Sequence, residues 1–203
     1  MGYHRDQVVE RAVSVLDSYG LGDLSMRRLA ADLGVQPSAL YHHFANKQTL
    51  LAAVADEVLR RGARPVPAGL GWEERVRHLC GGLRDAMLAY RDGAELVATM
   101  HAFGLGAHSP AATLETTLAE AGFEPGRAGA AARTLLHYVF GHTAHEQAFL
   151  QAGSAGAVAT GPRATSDFAL GLGLILDGLR LRSRTPLQAP TRGQTSTVPP
   201  ERQ

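Results

Sequence analysis

The chain has 203 residues, and its 20 basic and 19 acidic residues leave a formal net charge of +1. Hydrophobic residues make up 45% and charged residues 19% of the chain, a composition typical of a globular protein, which excludes wholesale disorder. The nearly balanced charge excludes a polybasic protein that coats nucleic acid, but it leaves room for one local basic surface.

The cysteine content and the apolar runs bear on where the protein acts. Cys80 is the single cysteine, so it cannot form an intramolecular disulfide, and it fits no zinc-ligand spacing. This usage indicates a reduced, cytoplasmic protein. The N-terminus lacks the order of basic, apolar and small residues that marks a signal peptide. The longest apolar run, residues 168–176, is far shorter than the roughly 20 residues of a membrane span, so we expect no membrane partner.

Helical periodicity runs through almost the whole chain, and no alternating stretch bounded by hairpin turns predicts a sheet. A first helix is predicted over residues 6–19. Ser25 can cap a second helix that stops at Gly34, because its hydroxyl can accept an N–H of the first turn. Pro37 suits the first turn of a short third helix, which we expect to end by Phe44.

A fourth helix is capped by Asn46 and extends to Arg61, and prolines and glycines in residues 62–71 then predict a joint. Further helices are expected near residues 72–90, 93–101, 110–121, 126–151 and 165–182. The last segment of the chain is rich in Pro, Thr, Gln and Arg and has almost nothing to bury, so we expect it to be disordered. The sequence thus predicts an all-α protein with an N-terminal domain over residues 1–61, a C-terminal domain over residues 72–182 and a disordered tail over residues 183–203.

Residues 24–44 have the proportions of a helix-turn-helix, two short helices joined by a three-residue turn with glycine. Ala30 supplies the small residue where the two helices touch, and Gly34 tolerates the positive φ of the turn. Apolar side chains at five positions can lock the helices together: Leu29, Leu33, Val35, Leu40 and Phe44. Any helical protein can contain two short helices with a glycine between them, so these proportions alone do not establish DNA binding.

A longer match makes the motif specific. It comprises the stretches LSMRRLA from residue 24, LGV from residue 33, ALYHHF from residue 39 and NKQTLL from residue 46. Together they resemble the three-helix, helix-turn-helix DNA-binding domain of the tetracycline-repressor family over roughly residues 4–61. The resemblance implies a transcriptional regulator that binds double-stranded DNA. One short recognition helix covers few base pairs, so we expect a homodimer on a palindromic operator, with half-sites about 34–36 Å apart.

The resemblance also implies roles for individual residues. The segment Tyr41, His42 and His43 would lie in the major groove, with Gln36 and Ser38 near base edges or the adjacent backbone. These groups are small or form hydrogen bonds, and none is a carboxylate, as a surface that meets phosphates requires.

The basic and hydroxyl groups in and around that segment have expected roles of their own. Arg27 can reach guanine O6 and N7 with two hydrogen bonds, a contact that contributes about 1–3 kcal/mol of discrimination. The Tyr41 hydroxyl and the Lys47 ammonium are expected to bind phosphates, which positions the protein without reading sequence. Arg28 either faces phosphate or is a solvated helix residue. His43 either contacts a base or packs beneath its helix.

Residues 72–182 contain no sequence motif of catalysis, so we predict neither an enzyme nor a cofactor. Trp72, residues 90–94 and residues 168–179 resemble, more loosely, the ligand-binding and dimerising domain of the same family. That resemblance implies that the last two long helices pair with their two-fold mates as a four-helix bundle. Gly171 and Gly178 fit a close approach of helices at such an interface, or they relieve crowding inside one subunit.

The positions that contact magnesium-chelated tetracycline in that family fall on Ala63, Leu79, Leu83, Val97 and Met100. Val97 replaces the metal-binding histidine and offers no lone pair to Mg²⁺, so we expect neither a metal nor that drug here. Apolar residues instead favour a hydrophobic or aromatic small-molecule effector oriented by a few polar groups. The candidate lining residues are Leu79, Leu83, Met87, Met100, Phe103, His137 and Phe140.

Two other functions stay open at this point. His142 and His145 share a helix with His137 at a spacing that zinc can use, although zinc needs further ligands, so a metal-dependent enzyme is one alternative. Histidines in a wet cavity or at a dimer interface explain the same pattern. The second alternative is a ligand-independent architectural protein, whose affinity for DNA would fall steeply with salt and barely distinguish sequences.

Overall fold

The computed structural model describes residues 3–106, 108–154 and 166–183, and within these ranges it contains nine α-helices and no strand. The all-α prediction is therefore confirmed. The helices are α1 (Arg5–Tyr19), α2 (Met26–Leu33), α3 (Pro37–Tyr41), α4 (Lys47–Gly62), α5 (Trp72–Leu88), α6 (Gly93–Ala102), α7 (His108–Glu120), α8 (Pro125–Ser154) and α9 (Phe168–Ser183). Residues 184–203 of the predicted tail lie outside the described residues, as do residues 155–165.

Local capping sets the bounds of the first helices as the sequence predicts. The Ser25 hydroxyl accepts a hydrogen bond from the Arg28 N–H at 3.2 Å, which opens α2. Gly34 closes α2 with a φ of 66°, in the left-handed region that favours glycine. The Asn46 side chain accepts from the Thr49 N–H at 2.9 Å, and the Thr49 hydroxyl accepts from the Asn46 N–H at 3.2 Å. This reciprocal pair opens α4.

The four helices α1 to α4 form an N-terminal unit around one set of buried side chains. Leu16 of α1, Leu29 of α2, Leu40 of α3 and Leu50 of α4 are almost completely buried. The helix α3 ends at Tyr41, before Phe44 as expected, and leaves Phe44 in the turn that follows. Phe44 is nonetheless buried, so it anchors this turn and keeps α3 fixed against the unit.

The helices α5 to α9 form a C-terminal unit, and α4 packs against α5 and α6 of that unit as well as against α1. Gly62, the last residue of α4, lies directly on α5, where a Cβ would overlap Ala86. The close crossing depends on the absence of a side chain at this position. Because α4 belongs to the packing of both units, the domain boundary at residue 61 remains a prediction.

The helix α9 is fastened to α8 and α5 by polar and aromatic contacts. The Tyr138 hydroxyl of α8 donates to the Phe168 carbonyl at 2.9 Å, and the Arg84 guanidinium of α5 lies 5.4 Å from the centre of the Phe168 ring. A Cβ at Gly171 would overlap the Tyr138 ring. Gly171 therefore relieves crowding inside one subunit, whereas nothing lies within 4 Å of a Cβ placed at Gly178.

Candidate nucleic-acid interface and effector cavity

The second helix of the helix-turn-helix presents its predicted DNA-facing residues to solvent. Tyr41 is 52% exposed. The structure also leaves exposed the remaining predicted residues of this face and Arg27 at the start of α2, that is Gln36, Ser38, His42, His43 and Arg27. The apolar side chains of α2 and α3 face inward, which holds α3 as a rigid projection. The arrangement can place one short helix against a groove of a duplex.

The two remaining basic residues of this face differ in their surroundings. The Arg28 guanidinium lies 3.8 Å from the centre of the Tyr19 ring and 3.4 Å from the Asp23 carboxylate. Both contacts lie within the N-terminal unit, and the choice between a phosphate contact and a solvated helix residue stays a prediction. Lys47 is half-buried at the first position of α4. The positive end of a helix favours an anion, so Lys47 and the amides beside it suit a phosphate.

A cavity of about 480 Å³ lies between α4, α5 and α7. Its apolar wall is formed by six residues: Leu59, Ala63, Leu79, Leu83, Pro110 and Leu114. Its charged or titratable lining residues are Asp56, Arg60, Arg64, His78 and His108. The size and the mixture of a large apolar surface with a few polar groups are those of a small-molecule site.

Only part of the predicted lining meets in this cavity. Leu79 and Leu83 line it, as does Ala63. The other five predicted residues do not line this cavity, and their role in effector binding stays a prediction: Met87, Met100, Phe103, His137 and Phe140. Three of these, on α5, α6 and α8, are buried in the core, where neighbouring helices fill the space beside them.

Phe103 and His137, the remaining two, are exposed, with Phe103 at 63%. The His101 ring lies 6.0 Å from the His137 ring and 4.9 Å from the Phe140 ring. Burial lowers the pKa of His101 below its usual 6.5, and the nearby His137 and His108 lower it further. The edge-to-face contacts of its ring with His137 and Phe140 make His101 an aromatic packing residue.

The histidines of α8 form no metal site with other residues of the described ranges. Within the described ranges, no group of three or more His, Cys, Asp and Glu side chains could hold a metal ion. His142 instead pairs with the Ser166 hydroxyl at 3.3 Å and contacts the rings of Tyr138 and Phe168, while His145 is exposed. Burial raises the pKa of Cys80 to about 12, so this thiol is unreactive. No helix in the described part of the chain is long and apolar enough to cross a membrane.

Asp92 joins the two units, a role that the looser resemblance over residues 90–94 does not indicate. Its carboxylate accepts from the Leu21 N–H at 2.8 Å and from the Gln151 amide at 2.7 Å. Gly20, beside Leu21, has a φ of 84°, and a Cβ there would press against the Asp92 carboxylate. Asp92 itself has a φ of 55°, the one positive value among the described residues other than glycine. A polar residue within a glycine-flanked turn is the weak sequence signal that could have indicated it.

Two family models match this chain, and together they span most of the described residues. The model described as bacterial regulatory proteins, tetR family, matches residues 8–54. The model described as the tetracyclin repressor-like C-terminal domain matches residues 65–166. The first covers the helix-turn-helix, and the second covers the region that contains α5 to α8.

The curated relatives include tetracycline repressors. The class A repressor from transposon 1721 of Escherichia coli is 38% identical over 149 residues, which cover 70% of this chain and 66% of that protein. The class G repressor of Vibrio anguillarum is 36% identical over 146 residues, which cover 70% of this chain and 68% of that protein. The chain thus spans about two thirds of the length of these relatives, just under that share for class A.

The solved structures agree with this fold. A crystal structure of Mycobacterium smegmatis BioQ has a TM-score of 0.80 and 44% identity, and the match covers 88% of this chain and 98% of that one. A structure of BioQ with its natural double-stranded DNA operator has a TM-score of 0.74, 40% identity and coverage of 88% and 99%. A variant of TetR from Acinetobacter baumannii AYE in complex with minocycline has a TM-score of 0.73, 32% identity and coverage of 92% and 98%.

Proposed function

The chain belongs to the tetR family of bacterial regulatory proteins, and on that premise we propose that it is a homodimeric repressor that leaves a palindromic operator when a small hydrophobic molecule fills the cavity. The observation that supports this most directly is the exposed α2–α3 unit. It lies in a chain that matches BioQ with its operator at 40% identity over 99% of that protein.

In this proposal the helix α4 connects binding of the effector to release of the operator. It packs against α1 of the N-terminal unit, and it supplies Leu59 and Gly62 to the cavity wall. A ligand that binds one arrangement of α4 more tightly than another shifts the population towards that arrangement. The shift in operator affinity equals the ligand's difference in binding free energy between the two states. Two recognition helices that no longer match adjacent major grooves would then release the operator.

An uncovered apolar face supports the homodimer. Leu170, Leu174 and Leu181 on α9 are between 66% and 76% exposed, and no part of the described chain covers them. Burying such a face against its two-fold copy removes apolar surface from water and sets the spacing of the two recognition helices. We place the protein in the cytoplasm with the DNA and assign it no enzymatic activity, because the curated relatives named above are regulators.

Selection from a random duplex library tests the DNA-binding part. The purified full chain should enrich one palindrome whose half-sites lie about one helical turn apart. Binding that falls steeply with salt and enriches no sequence would instead establish the architectural alternative.

The substitution Leu83→Trp tests the cavity. Filling the space between α5 and α7 should leave operator affinity intact and prevent release by any apolar compound that releases the unaltered protein. Ala119→Trp places the same ring on the exposed side of α7, outside the cavity, and should respond normally. Normal release from the Leu83→Trp variant would show that the effector binds elsewhere.

A further inference from the structure

We propose that the effector of this cavity is a small apolar molecule that carries an acidic group, and that Arg60 and Arg64 bind that group at the cavity opening. The inference rests on the proposed function, because it concerns the same cavity. It goes further by naming the chemistry of the ligand and the residues that distinguish it from a neutral one.

The apolar and charged lining residues occupy different depths. Leu83 is partly buried, and Leu114 is almost completely buried on the opposite wall. The side chains of Arg60 and Arg64 are 72% and 66% exposed, so their guanidinium groups lie where the cavity meets solvent. An apolar body can therefore enter between the leucines while an acidic group stays at the opening.

Arg60 keeps hydrogen-bonding capacity for a ligand. Its Nε and Nη2 atoms donate to Glu57 at 2.6 and 2.7 Å. The same carboxylate also accepts from the Arg61 Nε at 2.7 Å. Two guanidinium groups thus share one carboxylate, which leaves this group of three side chains with a net positive charge.

Arg64 is held more loosely. Its Nη1 atom lies 3.7 Å from the Asp85 Oδ2, beyond the roughly 2.7–2.9 Å of a charge-assisted hydrogen bond. The Asp85 carboxylate also lies 3.5 Å from Arg84. A guanidinium on this exposed, weakly paired side chain can turn to form two parallel hydrogen bonds with an incoming carboxylate, the geometry in which arginine binds anions best.

The remaining titratable lining does not reverse this charge. Asp56 is the one carboxylate among the described lining residues, and Glu57 and Asp85, which pair with Arg60 and Arg64, lie outside that lining. The histidines at residues 78 and 108 are neutral or positive and are never negative. An acidic group is attracted to such an opening, whereas a cationic group meets two guanidinium groups.

An acidic effector would act directly on α4. It competes with Glu57 for Arg60, and Glu57 is the carboxylate that also holds Arg61. Arg61 lies 4.0 Å from Glu10 on α1, within the N-terminal unit. The acidic group therefore acts on the last turn of α4, beside its contact with the helices that carry the recognition helix.

Two fluorescent dyes with the same ring system test the proposal. 1-Anilinonaphthalene-8-sulfonate carries an anionic group, and N-phenyl-1-naphthylamine lacks it. The full chain should bind one sulfonate dye per subunit, more tightly than the neutral dye. Arg60→Gln/Arg64→Gln should weaken the sulfonate dye about three- to tenfold and leave the neutral dye unchanged. Leu83→Trp should weaken both dyes.

Matched variants distinguish an effect at the cavity from the effect of net charge and from loss of folding. Arg77→Gln/Arg133→Gln removes two positive charges at exposed positions outside the cavity and should leave both affinities unchanged. Arg60→Lys/Arg64→Lys keeps both charges and should retain most of the affinity for the sulfonate dye. If affinity for the sulfonate dye falls in Arg60→Gln/Arg64→Gln but is retained in Arg60→Lys/Arg64→Lys, the loss is an effect of charge at these two positions.

Three results would overturn the inference. They are equal affinity for the two dyes, an equal loss in the two glutamine pairs, or sulfonate binding that Leu83→Trp does not alter. If the two dyes bind with equal affinity and Leu83→Trp prevents the binding of both, the preference for an acidic group is refuted. The cavity of the proposed function is then still supported. The proposed function itself fails separately, through the library selection.

Discussion

Asp92 shows how much one side chain contributes to joining the two units of this protein. It accepts hydrogen bonds from the backbone of the α1–α2 turn and from Gln151 on α8, and its own backbone lies in the left-handed region. Aspartate tolerates that region better than most residues. One residue thus couples the turn before the helix-turn-helix to the C-terminal unit.

Asp92→Ala should lower the free energy of unfolding by about 1.5–3 kcal/mol through the lost hydrogen bonds, and by roughly 1 kcal/mol more through strain at positive φ. Asp92→Gly removes the same carboxylate but accepts the backbone conformation, so its loss should be smaller. Urea denaturation of the full chain measures both. Equal losses in the two variants would show that the backbone at residue 92 is unstrained.

Substitution of Arg27 and of Lys47 should affect DNA binding in different ways. Arg27→Ala should cost about 1–3 kcal/mol at one base pair of each half-site and relax the preference there. Lys47→Ala should weaken binding to every duplex alike and reduce the salt dependence, because a phosphate contact carries no sequence information. Binding selection with both variants checks the pair. An unchanged base preference for Arg27→Ala would refute its assigned role.

At the scale of the element, α4 carries a charged network near its C-terminal end. Glu57 accepts hydrogen bonds from Arg60 and Arg61, and these bonds lower its pKa from the usual 4.5 to about 2, with Arg60 making the larger contribution. A carboxylate whose pKa is depressed by folding stabilises the folded state above its unfolded pKa. That stabilisation is lost as the pH falls from about 4.5 towards about 2.

Glu57→Gln should therefore be less stable than the unaltered protein at pH 7, by on the order of 1 kcal/mol because Arg60 is largely exposed. The difference should shrink as the pH falls below 4.5 and should be lost below about pH 2. Denaturation at a series of pH values measures the difference. A difference in the free energy of unfolding that stays constant over this pH range would mean that Glu57 is not the titrating group. Glu115→Gln, an exposed carboxylate on α7, is the control.

At the scale of the whole molecule, the exposed leucines of α9 require a partner surface. Leu174→Glu puts a charge in the middle of this face, at a side chain that is 67% exposed in the single chain. The variant should fold but become monomeric, and its operator affinity should fall because two linked recognition helices bind far more tightly than one.

Light scattering coupled to size-exclusion chromatography measures the oligomeric state, and operator titration measures the affinity. Phe103→Glu adds the same charge at a similarly exposed position in the loop after α6 and should remain dimeric. A Leu174→Glu variant that elutes as a dimer would place the interface on another face.

The helices were predictable because their signals are local. Ser25, Gly34 and Asn46 act on backbone groups within three or four residues, and they predicted the bounds of α2 and the start of α4 closely. Leu79 and Leu83 of the cavity were predictable from family resemblance. Arg60 and Arg64 were not, because charged residues near the end of a helix resemble an ordinary solvated surface.

The amino-acid sequence by itself determined the helical fold, the helix-turn-helix and the residues that it exposes, since hydrophobic period and capping operate over a few neighbouring residues. Only the tertiary structure decided that the cavity lies between α4, α5 and α7, that Gly171 accommodates Tyr138, and that Asp92 joins the two units. Those contacts depend on how helices cross, and a crossing is set by side chains from residues far apart in the chain.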